Sequence, residues 1–117
     1  MKSVALFSVA VVWLSTVASA AAQTDFYAGK QITLIVGASA GGGYDTQARL
    51  VARHIGRHIP GNPIVVVQNM PGAGSLAATN YIYNVAANDG SVIALVQRSM
   101  LLIKTWNPQS VRFDRPA

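Results

Sequence analysis

The chain is 117 residues long, contains no cysteine or glutamate, and carries a formal net charge of +5. The missing cysteines exclude a disulfide framework and a lipid-attachment thiol. A modest basic balance favours an anionic partner, but no lysine-rich run or aromatic-and-basic surface motif supports nucleic acid.

Residues 1–22 hold one charge, Lys2, followed by the apolar run "VALFSVAVVWL", the polar step "ST" and the small-residue ending "VASAAA". A basic start, an apolar stretch of roughly 7–15 residues and an A-x-A-like end describe a cleavable export signal. Cleavage after Ala20 or Ala22 fits. The competing reading is an uncleaved anchor, but a spanning helix needs roughly 20 apolar residues, and serines and a threonine interrupt this run. The expected product is a soluble periplasmic domain over residues 23–117, about 95 residues at about +4, with length for one small core.

After "QTDFYAGK", the first strand is expected over residues 32–36, apolar apart from Thr33. The loop "GASAGGGYD", residues 37–45, follows with four glycines in its first seven positions. A helix is expected through "TQARLVARHIGRHI". There Ala48, Val51, Ala52, Ile55 and Ile59 recur at helix spacing, while Arg49, Arg53 and Arg57 fall on a second, solvated stripe. Pro60 and Pro63 end it, and Gly61 permits a turn. The β-branched run "IVVV", residues 64–67, is the second strand. A second helix is expected over residues 75–86, with Ala78, Ile82 and Val85 as its seam and Leu76 and Tyr83 widening it. "ANDG" turns the chain into a third strand, "VIALV", residues 92–96. Beyond it, "MLLI" is apolar and "WNPQ" reads as a turn.

Continuous apolar runs suit strands buried on both faces, as in a parallel sheet. The predicted fold is therefore α/β, an open parallel sheet in βαβαβ order with right-handed crossovers. Three strands and two helices make a thin sheet with unprotected edges, which reads as the front of a longer fold.

In open α/β sheets, ligands sit at the carboxyl ends of the strands, where loops lead into helix N-termini. Two such loops here are glycine-rich: residues 37–45 and "NMPGAGS", residues 69–75. Helix N-termini offer unpaired N–H groups and partial positive charge, and glycine lets the backbone approach closely. A charge-assisted hydrogen bond contributes roughly 1.5–3 kcal/mol, so three or four could hold a carboxylate without arginine. The plainer reading is two tight strand-to-helix turns, with Asp45 capping the first helix.

The sharpest rival is a nucleotide site. Gly37, Gly41 and Gly43 satisfy the G-x-x-x-G-x-G spacing of the short-chain dehydrogenases, and "VGASAGGG" looks like their cofactor loop. Against it stand the export signal, the lack of a Tyr-x-x-x-Lys pair, and Asp45, which would sit near a pyrophosphate. A P-loop is excluded because there is no Walker lysine. His54 and His58, four apart, lack the glutamate and third ligand of a zinc helix and read as surface residues. Ser39 and Ser75 have no histidine or acid at recognisable spacing for nucleophilic catalysis. Trp106, Tyr81 and Tyr83 are expected to pack.

"GGGYD", "NMPGAG" and "DG", at these distances, resemble the substrate-binding receptors of tripartite tricarboxylate transporters, the Bug family. The likeness runs from Phe26 through "NVAANDGSVIALVQR" and returns weakly at "VRFD". It implies the partial first lobe of a type II periplasmic binding protein. Such a monomeric, non-enzymatic receptor carries no cofactor and passes a small carboxylate to membrane permease subunits. The family's first binding loop maps onto residues 38–45, with Ser39, Ala40, Gly41, Gly42, Gly43 and Asp45 as its binding residues, and its second onto residues 69–75, with Asn69, Gly72, Ala73, Gly74 and Ser75; Gln97 is expected to face the same cleft. Relatives usually carry proline before the first glycines and a further glycine where Ser75 stands. They also run to about two domains' length, so a second lobe and half of the cleft are expected beyond this chain.

Overall fold

A computed structural model describes residues 26–113; the export signal expected over residues 1–22 lies outside them. Three strands form one parallel sheet: β1 (Gln31–Val36), β2 (Ile64–Asn69) and β3 (Val92–Leu95). Their spatial order is β2-β1-β3. Helix α1 (Gly43–Ile55) connects β1 to β2, and α2 (Leu76–Asn84) connects β2 to β3. The α/β class, the parallel pairing and the βαβαβ order are as expected.

β1 lies at the centre and is the most buried strand, with Ile32, Leu34, Ile35 and Val36 all buried. Each such side chain contributes roughly 1.5–3 kcal/mol relative to exposure. Leu34 and Val36 pack with Ala48 of α1, and Val65, Val67 and Leu95 close over them. By strand alternation Ile35 points to the opposite face. The two crossovers, β1 to β2 and β2 to β3, run in opposite directions across the sheet, so right-handedness puts α2, with buried Leu76 and Ala78, on that second face. Parallel pairing extends past the strands: Met70 N–H donates to the Val36 carbonyl at 2.8 Å, and Gly37 N–H to that of Leu95 at 3.0 Å.

Several expectations need correction. Burial on both faces holds for β1 only. In β2, Ile64 is 71% and Val66 40% exposed, because an edge strand covered by one helix keeps its other face in solvent. The first helix begins at Gly43, inside the glycine run, and Val51 on its expected apolar stripe is exposed. The second helix stops at Asn84, which leaves Val85 exposed beyond it. The segment after β3 was expected only as an apolar run and a turn. It forms a helix, α3 (Met100–Trp106), on which Met100 is buried and Trp106, expected to pack, is 74% exposed. The chain then returns to α2: Asn80 and Asn84 donate to the carbonyls of Ser110 and Arg112, and Arg112 N–H donates to Asn80 Oδ1. Among the described residues, no helix is long and apolar enough to cross a membrane.

Candidate functional site

Because all three strands run the same way, the loops after β1, β2 and β3 lie on one rim of the sheet. That rim gathers every candidate binding residue. Ser39, Ala40, Gly41, Gly42 and Gly43 are exposed, as are Gly72, Ala73 and Gly74; Gln97 is half-buried. Asp45, Asn69 and Ser75 behave differently. Their side chains turn into the protein and tie the three loops together.

Ser75 is fully buried. Its hydroxyl donates to the Gly37 carbonyl at 2.7 Å and accepts the Gln97 N–H at 3.0 Å, so one oxygen joins all three loops. The geometry requires unusual backbone. Gly72, Ala73, Gly74 and Ser75 have φ of 149°, 44°, 62° and 79°, four consecutive residues on the left-handed side. Two of them carry a Cβ, which disfavours that region. Close contact imposes the reciprocal demand on Gly37, since a Cβ there would overlap the Ser75 side chain. Gly37 therefore serves packing at least as much as any ligand.

Asp45 stands three residues into α1, whose N-cap is Gly42, so it does not cap the helix as expected. It nevertheless holds the loop, accepting from Gly41 N–H at 2.8 Å, Arg49 Nε at 3.0 Å and Asn69 Nδ2 at 2.9 Å. Asn69 Nδ2 also donates to the Ala38 carbonyl, and its Oδ1 accepts from Arg49. The Arg49 guanidinium first, then the Gly41 N–H and the Asn69 amide, hold the Asp45 carboxyl down at about 2. Donors aimed at the charged form have that effect. Asp45 is thus ionised at neutral pH and largely neutralised locally. Arg49, expected on a solvated stripe, belongs to this network. A sequence signal was present: Asp45 and Arg49 are four apart, a favourable helix pair.

This network decides which amides a ligand could use. Gly41 N–H is occupied by Asp45, and Gly42 N–H makes a long 3.4 Å contact with the Ser39 carbonyl. The amides of Gly43 and Tyr44 open α1, where first-turn N–H groups have no intrahelical acceptor. Across the rim, Gln97 Oε1 lies 3.7 Å from where a Cβ of Gly74 would be, so a side-chain amide borders the second glycine loop. Exposed Arg98, next to Gln97, brings a cation to the third loop. It is not singled out from the sequence, although its place in the loop after a parallel strand, three residues past Leu95, marks it. Elsewhere, exposed His54 lies against Arg57, and no group of metal-ligating side chains occurs among the described residues. Comparison with known proteins adds no identification: no family model, no curated protein and no solved structure matches this chain.

Proposed function

We propose that this rim is one wall of a carboxylate site, and that the chain is the first lobe of an exported solute receptor serving a tripartite tricarboxylate-type permease. One observation carries the reading: two glycine-rich loops and a Gln-Arg pair converge on one sheet rim, locked there by buried Ser75 and by the Asp45–Asn69–Arg49 network. Such locking gives preorganisation, which lowers the cost of ordering on binding. The likeness of the loops to those of the Bug family supports the same substrate class. The dinucleotide alternative is disfavoured by Asp45, whose carboxylate already occupies the Gly41 amide that a pyrophosphate would need.

An amide-resolved NMR titration tests this. Citrate and succinate, added at constant ionic strength, should shift the backbone amides of Gly43, Tyr44 and Gly74 and the side-chain amide of Gln97, with a weak, millimolar-range response expected of a single wall. A neutral diamide of the same length should not. Shifts confined to other surfaces, or a stronger response to a nicotinamide dinucleotide than to any carboxylate, would remove the proposal.

A further inference from the structure

The far edge of the sheet bears a second surface, independent of the rim. β2 pairs with β1 and with no other strand among the described residues. Its Met70 N–H bonds to β1, so by alternation the backbone groups of Val65, Val67 and Asn69 point outward, unpaired by the sheet. Natural edges are usually guarded by charge, proline or a bulge. This one is six residues, "IVVVQN", without any of these inside it. Beside it runs a cleft of about 230 Å³ between α1 and β2, lined by Arg49, Ala52, Arg53, Val65 and Val67.

We infer that this edge takes an extended acidic peptide segment by strand addition, its main chain pairing with Val65 and Val67 and its carboxylates meeting Arg49 and Arg53. The spacing agrees. Arg49 and Arg53, one turn apart on α1, are separated by about 6 Å of helix rise. Alternate residues of a strand, which share a face, are about 6.6 Å apart. Arg53 is exposed, and Arg49 uses only part of its five-donor fork on Asp45 and Asn69. Charge also selects against the obvious competitor, a second copy. Antiparallel β2–β2 pairing would set two α1 helices side by side on one face, arginine against arginine. Main-chain pairing provides the affinity and the arginines the choice of partner.

The test uses the full chain and two short fluorescent peptides, one alternating valine with aspartate, the other valine with lysine. Fluorescence anisotropy should show binding of the aspartate peptide only, weakening with added salt. Arg53→Glu should reduce it about tenfold and confer binding of the lysine peptide. Val67→Pro deletes an outward N–H without touching the ladder to β1, and should abolish binding while circular dichroism is unchanged. If Val67→Pro does misfold, the Arg53→Glu charge reversal still decides. Equal binding of both peptides, no binding, an unaffected Arg53→Glu variant, or a dimer in sedimentation would each overturn the inference.

Discussion

Asp45 shows how much one side chain can decide. Short and acidic, it sits where a sequence reader expects a cap, yet it acts as the acceptor around which Gly41, Arg49 and Asn69 are arranged. Its carboxyl is held at about 2, below the unfolded value of about 3.9. A depressed folded-state value means that the ionised form favours folding: the contribution is complete above the unfolded value and is lost as pH falls from about 4 towards 2. Asp89 contributes with the same sign, its carboxyl lowered by the hydroxyl and N–H of Ser91. Asp45→Asn should therefore lower the thermal midpoint at pH 7 and flatten part, though not all, of the acid limb. Scanning calorimetry of both forms between pH 2 and 7 measures this, and an unchanged acid limb would show that the carboxylate has no such role.

Among elements, the loops matter more than the helices. Ser75 holds the first and third loops from a left-handed backbone that glycine would adopt more readily. Replacing it separates the two effects. Ser75→Ala keeps the backbone cost and leaves the Gly37 carbonyl and Gln97 N–H without their partner, a loss of roughly 1–3 kcal/mol for each buried group so stranded. Ser75→Gly loses the same bonds but relieves roughly 1–2 kcal/mol of left-handed strain. Denaturant titration should rank the wild type above Ser75→Gly and Ser75→Gly above Ser75→Ala. The reverse order of the two variants would mean that the backbone there is not strained. Strand and helix positions, by contrast, were legible from sequence. Apolar runs and 3.6-residue periodicity are local signals, and they located both crossover helices and all three strands. Helix α3 escaped because "MLLIKTW", with Met100 buried and Trp106 exposed, has too few turns to show a period.

At the scale of the whole molecule, the described residues cover the sheet only in part. Ile64 and Val66 form an exposed β-branched pair on the face of β2 away from α1, while Leu102 and Trp106 are exposed on α3. Apolar surface left in water binds hydrophobic probes and invites association. Ile64→Thr combined with Val66→Thr should reduce native-state dye fluorescence, with stability kept within roughly 0.5 kcal/mol per surface substitution. Unaltered fluorescence would place the dye elsewhere.

Sequence alone determined the fold class, the strand order along the chain and the placing of both glycine loops at helix starts, since each depends on neighbours a few residues away. Tertiary structure decided which faces stay bare, why Gly37 admits no side chain, and why Arg49 belongs to a loop network instead of a solvated stripe. Apart from the Asp45–Arg49 pair, four residues apart on one helix, the links between loops join residues 20 to 38 positions apart. No local pattern encodes such contacts; they arise only when parallel strands bring the ends of separate segments to one rim.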